Sequence, residues 1–336
     1  MAIPATFNAF RIHHDPTAPD GRGHRSGIEE VSLDDLAPGE VVIRTAYSSI
    51  NFKDALAGTG EGRILRRFPL VGGIDVAGHV AMSADPKFKE GDAVLVTGCG
   101  LSETRDGGYS EYARLQAQWT IPLPSGLSLR ESMILGTAGF TAELALYRML
   151  DNRQTPDLGP LAVTGATGGV GSLAVDIFNR AGFEVAAISG KAEQHDYLQS
   201  IGASRVLGRD ALATTRPLES ARFGGGLDNV GGPMLASLLA QTAPYGNVAS
   251  AGLAASHGLD ATVMPFIIRG VSLLGVASAG TARDIRDAVW QHLASDWKPA
   301  HLDRICTREV PLAQLSEAFP TMLAGGSLGR TLVTFD

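Results

Sequence analysis

The sequence contains only two cysteines, Cys99 and Cys306, among its 336 residues. Two cysteines cannot build a disulfide framework, and alone they cannot supply the four ligands of a structural zinc site. Charged residues make up 19% of the chain and aromatic residues only 6%, while apolar residues make up 44%. This composition excludes a disordered chain. A chain of this length can bury a large core without covalent or metal staples.

The sequence also has no run of 18 uncharged apolar residues, so it predicts no membrane span. The opening stretch MAIPATFNAFRIHHD lacks the basic start and apolar centre of a secretory signal. A net charge of −7 argues against nucleic acid as a main partner. We therefore expect a soluble, cytoplasmic protein, and its length predicts two domains at about 150 residues each.

The pattern of the sequence changes near Pro124. Before it, stretches such as EVVIRTAYSSI (40–50) are rich in β-branched residues and separated by glycines, which is typical of a partly open β-barrel. After it, residues 127–150 predict two helices joined at Gly136. Strands then alternate with helices, which indicates a parallel sheet covered on both faces. The chain closes with two further helices and a strand, RTLVTF (330–335), which could return to the first domain.

A glycine-rich turn follows the first of the alternating strands. In VTGATGGVGSLA (163–174), Ala166, Gly168 and Gly171 have the spacing of the dinucleotide fingerprint. Gly168 would let backbone N–H groups approach a pyrophosphate, Gly171 would let the helix pack on the sheet, and the helix N-terminus favours an anion. We predict a dinucleotide site here, the alternative being a merely tight turn.

The end of the next strand indicates which dinucleotide binds. An NAD site usually has a carboxylate there, whereas this strand ends with Ser189, Gly190 and Lys191. A hydroxyl and an ammonium suit a 2′-phosphate, and Arg209 after the third strand adds a second cation. We therefore predict NADPH, the alternative being that Lys191 is a solvated residue at a helix start. The short-chain dehydrogenases also use such turns, but no tyrosine here has the lysine four positions on that they need.

Ordered matches along nearly the whole chain carry a family resemblance. They are YSSINFKDALAGTG (47–60), RRFPLVGGIDVAG (66–78), GDAVLVTGCG (91–100), GGYSEYAR (107–114), GTAGFTA (136–142), VTGATGGVGS (163–172), IGASRVLGRD (201–210), DNVGG (228–232), VMPFIIRGVSLLG (263–275) and GRTLV (329–333). The chain resembles the medium-chain dehydrogenase/reductase superfamily in its zinc-free quinone-oxidoreductase branch, and more closely the acrylyl-CoA reductase (NADPH) group.

The resemblance implies an α/β fold of two domains. Residues 1–126 plus about 296–336 would form a GroES-like, β-rich barrel, and residues 127–295 a Rossmann domain with a doubly wound parallel sheet. The active site would lie in the cleft, and the edge strand VSLLGVA (271–277) would join a homodimer.

The resemblance also implies a set of cofactor contacts. The pyrophosphate would meet Thr167, Gly168, Gly169, Val170 and Gly171, and the 2′-phosphate would meet Ser189, Gly190, Lys191 and Arg209. The nicotinamide side would meet Phe52, Leu253, Ile267 and Ser278. For Leu253 and Ile267, the alternative is an ordinary place in the core.

We predict no catalytic metal. Zinc alcohol dehydrogenases of this superfamily carry Gly-His-Glu and a ligand cysteine, whereas this chain has Gly73-Ile74-Asp75 and has Asp54 where the cysteine is expected. No histidine shows a metal-like pairing with a cysteine. We expect His13, His14 and His24 in a polar surface loop.

The implied reaction is hydride transfer from NADPH to an activated C=C bond, as in the reduction of acrylyl-CoA to propanoyl-CoA. The predicted catalytic residues are Asn51, as donor to the developing oxyanion, Phe52, whose ring packs on the nicotinamide, and Lys53, as proton source or positioning charge. The alternative for Lys53 is a structural pair with Asp54 at a helix start. The family usually has tyrosine at position 52 and aspartate at position 277, so Phe52 and Ala277 predict a less polar pocket.

Three arginines, Arg63, Arg66 and Arg67, lie close together in this acidic chain. They would attract the phosphates of a CoA thioester, the alternative being a solvated basic surface. Three functions stay open: an enoyl-thioester reductase acting on acrylyl-CoA, an NADPH-dependent quinone or enal reductase, and an NADPH-binding protein without turnover. A small-molecule substrate is the expected partner of the first two.

Overall fold

The computed structural model describes residues 3–18 and 21–335. The chain forms two units, each built from more than one stretch of sequence. The barrel unit comprises Met1–Thr137, Ala279–Asp287 and Cys306–Asp336, and the parallel-sheet unit comprises Ala138–Ser278 and Ala288–Ile305. The chain thus passes between units at 137/138 and 305/306, about ten residues after each predicted boundary, and the barrel unit also takes in 279–287.

The secondary structure follows the predicted change from strands to strand–helix alternation. The strands are β1 (Phe7–His14), β2 (His24–Val31), β3 (Val41–Ser49), β4 (Leu70–Val71), β5 (Asp75–Ser83), β6 (Ala93–Thr97), β7 (Tyr112–Leu115), β8 (Ile121–Pro122), β9 (Leu161–Thr164), β10 (Val185–Ile188), β11 (Arg205–Leu207), β12 (Phe223–Asp228), β13 (Thr242–Ser250), β14 (Ser272–Gly275), β15 (Cys306–Pro311) and β16 (Arg330–Thr334). The helices are α1 (Phe52–Thr59), α2 (Leu129–Asp151), α3 (Gly169–Arg180), α4 (His195–Ser200), α5 (Gly232–Ala240), α6 (Met264–Arg269), α7 (Arg283–Ala294), α8 (Leu302–Ile305) and α9 (Leu315–Leu323).

The barrel unit is built on a mixed sheet with the order β15-β16-β3-β5-β6-β8, with β7 paired to β3. β3 occupies a central place because its β-branched residues suit a buried strand, and Val41, Val42 and Ile43 are almost completely buried. The C-terminal strand β16 pairs antiparallel with β3, placing Leu332 opposite Ser49. The prediction that the last strand returns to the first domain is therefore confirmed.

A hairpin of β1 and β2 covers part of this unit, with β4 pairing to β1. Its register runs from Phe7 opposite Val31 to His14 opposite His24. The expected polar loop at His13, His14 and His24 is therefore wrong, since all three lie in paired strands. The apolar residues of β1 end at Ile12, and the strand continues through the polar residues His13 and His14.

The parallel-sheet unit has six parallel strands in the order β11-β10-β9-β12-β13-β14. The chain starts in the middle at β9, builds outward to β11, and then crosses to β12 on the other side. This is the doubly wound Rossmann arrangement, and such sheets bind ligands beyond the carboxyl ends of the strands where the order reverses. The turn after β9 lies at that position.

Helix α2 is interrupted at Gly136, whose backbone (φ 49°, ψ −153°) is not helical. The prediction of two helices joined at this residue is confirmed. None of the helices in the described part of the chain has the length and apolar character needed to span a membrane.

Candidate functional site

The turn between β9 and α3 is a backbone cradle for an anion. Gly168 is the N-cap residue of α3, and its N–H donates to the carbonyl of Gly165 at 3.0 Å. The first N–H groups of a helix have no acceptor within the helix, and the helix dipole makes this end positive. A phosphate group placed against the turn would accept from these N–H groups and would lie at the positive end of the helix dipole.

The two glycines of the fingerprint serve different purposes. A Cβ on Gly171 would lie 2.3 Å from the carbonyl oxygen of Gly165 and 2.7 Å from the Cα of Ala166, so only glycine lets α3 pack against the turn. A Cβ on Gly168 would meet nothing in the protein closer than 3.4 Å. The space beside Gly168 is therefore open for a ligand, and the turn fits a dinucleotide pyrophosphate.

A small cavity beside this turn brings together five of the predicted cofactor residues. It is lined by Gly165, Thr167, Ile188, Ser189, Gly190, Lys191, Arg209, Val230 and Met234. The hydroxyl of Ser189 accepts the backbone N–H of Lys191 at 3.1 Å. Arg209 lies close over Gly190, because a Cβ on Gly190 would be 2.8 Å from its Nε. The lining thus contains the cations Lys191 and Arg209 and the hydroxyl of Ser189, and it contains no carboxylate. This combination fits the 2′-phosphate of NADPH.

Val230 and Met234 line this cavity as well, although neither was among the predicted contacts. The sequence signal for Val230 was the DNVGG motif at 228–232. The buried Asp228 holds this motif next to the glycine turn, since it accepts the hydroxyl of Thr164 and the N–H of Gly231, both at 2.7 Å. Burial raises the pKa of Asp228.

The predicted nicotinamide contacts of this unit lie elsewhere. Leu253, Ile267 and Ser278 do not line the cavity. Leu253 is 62% exposed and Ile267, on α6, is 75% exposed, so the alternative that they are core residues is wrong. Both side chains are therefore accessible, and their contact with the nicotinamide stays a prediction.

In the barrel unit, Asn51 is the centre of a buried polar network. Its side-chain amide donates to the carboxylates of Asp75 at 2.7 Å and Asp54 at 3.1 Å. Its amide oxygen accepts from Arg330 at 3.1 Å. Both amide hydrogens are thus given to carboxylates, which leaves none for the oxyanion donation expected from the sequence.

Asp75 connects this network to the kink in α2. Its carboxylate accepts the N–H of Thr137 at 3.0 Å, the hydroxyl of Thr137 at 2.6 Å and the hydroxyl of Ser49 at 2.7 Å. A Cβ on Gly136 would lie 2.6 Å from the same carboxylate. The helix therefore restarts at Thr137 on a buried acceptor, and glycine is required immediately before it because only glycine has room there.

The network contains an acid that titrates near neutrality. Burial, assisted by the nearby Asp75, raises the pKa of Asp54 to about 7. Burial also raises the pKa of Tyr109, whose hydroxyl donates to the carbonyl of Ser49 at 3.1 Å. The guanidinium of Arg330 is 3.9 Å from the carboxylate of Asp75. One fixed cation thus lies beside Asp75, and the amide of Asn51 connects the carboxyl groups of Asp75 and Asp54.

Phe52 and Lys53 lie at the first turn of α1, directly after Asn51. Phe52 is 41% exposed, which is unusual for a ring of this size. The ammonium of Lys53 donates to Glu103 at 2.5 Å. The alternative pairing of Lys53 with Asp54 is therefore wrong, since Asp54 accepts instead from Asn51 and from the N–H of Ile74.

The three arginines of the predicted phosphate cluster are all exposed. Arg66 approaches Glu103 at 3.9 Å, and Arg67 approaches the carboxylate of Asp106 at 3.6 Å. Two of the three are thus partly neutralised by carboxylates of the same unit.

The described residues do not fit a metal centre. No group of three or more histidines, cysteines, aspartates or glutamates among them is placed to hold an ion. Ile74 has no metal-binding atom in its side chain, at the position where the zinc enzymes have histidine. The carboxylate oxygens of Asp75 already accept hydrogen bonds from Ser49, Asn51 and Thr137.

Comparison with known families agrees with both halves of this description. Residues 37–125 match the alcohol dehydrogenase GroES-like domain, and residues 169–295 match the family described as zinc-binding dehydrogenase.

Curated relatives match over nearly the full length. YhfP of Bacillus subtilis, named as a quinone oxidoreductase, is 46% identical over 91% of this chain and 93% of its own. Acrylyl-CoA reductase AcuI of Ruegeria pomeroyi is 42% identical over 97% of this chain and 98% of its own.

Solved structures give the same grouping. The oxidoreductase yhdH of Salmonella enterica in complex with NADP superposes with a TM-score of 0.93, at 41% identity over 98% of this chain and all of that one. Bacillus subtilis yhfP with NAD bound also superposes at 0.93, at 42% identity over the same shares. The chain therefore belongs to the medium-chain dehydrogenase/reductase superfamily, in the group that contains the quinone oxidoreductase YhfP and the acrylyl-CoA reductase AcuI.

Proposed function

We propose that this protein is an NADPH-dependent reductase of an activated C=C bond, with acrylyl-CoA as its substrate and propanoyl-CoA as its product. The observation that carries the proposal is the 42% identity with acrylyl-CoA reductase AcuI along 97% of the chain. The carboxylate-free cavity at Ser189, Lys191 and Arg209 supports the choice of cofactor.

The chain's own part begins with cofactor binding. Bound NADPH would supply the hydride, which is chemistry that the protein itself does not provide. The turn from Thr167 to Gly171 holds the pyrophosphate at the start of α3, and Lys191 with Arg209 neutralises the 2′-phosphate. Relatives in this group have been solved with NADP and with NAD. Because only NADPH carries the 2′-phosphate, these two cations would favour NADPH over NADH.

On the substrate side, Asn51, Phe52 and Lys53 have different roles. Asn51 positions the start of α1, because its amide is fully used by the buried network. The exposed ring of Phe52 provides an apolar surface for the nicotinamide and excludes water. Phe52 has no hydroxyl and cannot act as an acid. Lys53, held by Glu103, provides the positive charge that stabilises negative charge developing on the thioester oxygen.

A second candidate is reduction of a quinone or an enal. The 46% identity with YhfP favours it, and so does the loss of polar groups at Phe52 and Ala277. A quinone carries no phosphate, so it would not need Arg63, Arg66 and Arg67. Dependence on the CoA group therefore separates the two candidates.

We also propose that the protein is a cytoplasmic homodimer. Strand β14 is an edge of the parallel sheet, paired among the described strands with β13. Ile267 and Ile268 on the preceding helix α6 are 75% and 59% exposed. An open strand edge next to exposed apolar side chains suits pairing with a second copy. Both cysteines are free thiols, which suits a reducing compartment.

The proposal is tested by following NADPH absorbance with purified protein. Acrylyl-CoA and a simple quinone are offered in parallel, with NADH as the cofactor control. We expect rapid oxidation of NADPH with acrylyl-CoA and little with NADH. Turnover with the quinone alone would establish the second candidate. NADPH binding with no turnover on either substrate, or on an enal, would leave the third function, a binding protein without catalysis.

A matched pair of variants tests Lys53. Lys53→Met should lower kcat with acrylyl-CoA by about 10-fold or more, as expected on loss of a charge that stabilises the transition state. NADPH affinity should not change. Lys89→Met, an exposed lysine of the same unit, is the control. An unchanged kcat in Lys53→Met would remove Lys53 from the mechanism.

A further inference from the structure

The barrel unit contains a large cavity whose lining shares no residue with the cavity beside the turn that follows β9. Its volume is about 710 Å³, within the range of about 300–1,000 Å³ typical of ligand sites. Its walls come from the turn before β6, the loop after β6, the segment before β8 and the start of α7. Nothing in the proposed reaction uses it.

The charge of this cavity is opposite to that of the chain. Lys87, Arg283 and Arg286 line it together with one carboxylate, Asp287. Asp287 pairs with Arg283 at 2.7 Å, so Lys87 and Arg286 give the lining a net positive charge. The start of α7 at Arg283 adds the positive end of a 12-residue helix. In a chain of net charge −7, such a lining favours an anionic ligand.

The arginines are held rigidly by backbone carbonyls. Arg283 donates to the carbonyls of Gln118 and Thr120 at 2.9 and 3.2 Å. Arg286, which is 2% exposed, donates to the carbonyls of Thr97 at 2.9 Å and Ala279 at 3.3 Å. These bonds connect three walls of the cavity, so its shape is fixed before a ligand arrives. Preorganisation of this kind reduces the entropic cost of binding.

An aromatic platform lies in the same cavity. Trp119 lines it, and the guanidinium of Arg105 lies 3.8 Å from the centroid of the indole ring. This cation–π contact fixes the ring plane. A fixed indole next to a group of cations is the combination that binds a flat heterocycle attached to phosphate.

We propose that this cavity binds a purine nucleotide with more than one phosphate, the base on Trp119 and the phosphates near Lys87 and Arg283. Two sources share this chemistry: the adenosine bisphosphate end of a CoA thioester and a free adenine nucleotide acting as an effector. The site does not depend on the proposed function, because only the first source involves the substrate.

Cys99 provides a readout that is independent of activity. Its half-buried thiol lines the cavity, and the only other cysteine, Cys306, lies outside the lining. In Cys306→Ser protein saturated with NADPH, the rate of Cys99 labelling by N-ethylmaleimide, a neutral reagent, is followed with and without nucleotide. We expect adenosine 3′,5′-bisphosphate to slow labelling at least about 5-fold in a saturable manner, with a weaker effect at high salt. Labelling that is unaffected by millimolar nucleotide would overturn the proposal.

Three variants make the result specific. Lys87→Ala and Trp119→Leu should each weaken the protection by about 5-fold or more, since they remove a phosphate contact and the stacking surface. Lys89→Ala, which removes an exposed lysine of the same turn that does not line the cavity, should not. Lys87 is exposed, so that variant stays informative if Trp119→Leu does not fold. Equal protection in all three variants would refute the site.

Further ligands identify the source. Protection by coenzyme A but not by pantetheine or ATP would assign the site to the thioester substrate. Protection by ATP equal to that by adenosine 3′,5′-bisphosphate would assign it to a free nucleotide. Both results support a nucleotide site, whereas protection by inorganic phosphate alone at the same concentration would overturn it. Failure of the proposed reductase activity would leave these measurements unaffected.

Discussion

A buried glutamate on α2 gives a quantitative test of the structure. Glu143 is 0% exposed, and among the described residues neither of its carboxylate oxygens has a hydrogen-bond partner. Burial raises the pKa of Glu143 well above its usual value of 4.5. Ionising a carboxyl group without partners in such a place is costly, so the native protein keeps it protonated.

The pH dependence follows from proton counting. Below pH 4.5 the carboxyl is protonated in both the folded and the unfolded chain, so the free energy of unfolding has its full value with respect to this group. Above that pH the unfolded chain loses the proton while the native protein keeps it, so the free energy of unfolding falls. The slope is about 1.4 kcal/mol per pH unit for one proton. For each pH unit over which the native protein keeps the proton that the unfolded chain has lost, Glu143 should therefore cost the protein about 1.4 kcal/mol.

The assay is urea unfolding of wild-type protein and Glu143→Gln at several pH values, followed by circular dichroism and tryptophan fluorescence. The difference in the free energy of unfolding between the two proteins should grow by about 1.4 kcal/mol per pH unit. Glu143→Leu should be more stable than wild type at pH 7, because an apolar side chain of similar volume removes the buried acid. Glu193→Gln, an exposed acid of the same unit, is the control. A difference between wild type and Glu143→Gln that stays constant with pH would refute the reasoning.

Three further predictions concern the two units separately. Arg209→Ala should weaken NADPH binding about 10- to 100-fold and NADH binding less than about 2-fold by calorimetry, since only NADPH has the 2′-phosphate. Arg205→Ala serves as control, and an equal loss for both cofactors would contradict the assignment. Gly136→Ala should lower the stability of the barrel unit by about 2–4 kcal/mol in thermal unfolding, because a Cβ would combine a positive φ with a 2.6 Å contact to Asp75. An unchanged melting temperature would show that the kink tolerates a side chain. Asp54→Asn should make the fall in unfolding free energy between about pH 4 and 7 shallower by about 1.4 kcal/mol per pH unit, leaving the part that Glu143 contributes, because burial raises the pKa of Asp54 to about 7. A slope equal to that of wild type would show that Asp54 does not titrate in this range.

The fold could be predicted from the sequence wherever local patterns and glycine positions agree with tertiary packing. The alternation of strands and helices after Pro124 correctly predicted the parallel sheet. Gly136 correctly predicted the break in α2, because a backbone with positive φ is a local property. The hairpin of β1 and β2 was missed. Its outer half carries His13, His14 and His24, and only the pairing of the two strands makes this polar stretch extended.

The cofactor side of the candidate site was easier to predict than the substrate side. The glycine turn and the end of β10 are contiguous in sequence, and the cavity beside them has five of the predicted residues in its lining. The role of Asn51 could not be predicted, because its partners Asp75 and Arg330 lie 24 and 279 residues away. Such partners are determined by the fold, and no local pattern in the sequence indicates them.

The network around Asp75 has a consequence for how the protein is made. Ser49, Asp75 and Thr137 are synthesised before the parallel-sheet unit, whereas Arg330 is synthesised after it. Until β16 inserts between β3 and β15, the two buried carboxyl groups lack the guanidinium that donates to Ser49 and Asn51. The hydrogen-bond network of the barrel unit therefore cannot form completely while the N-terminal part of the unit is being synthesised. It lacks Arg330 until the whole parallel-sheet unit has been made. A truncation that removes Arg330 would thus disable a network whose other members lie between Ser49 and Thr137.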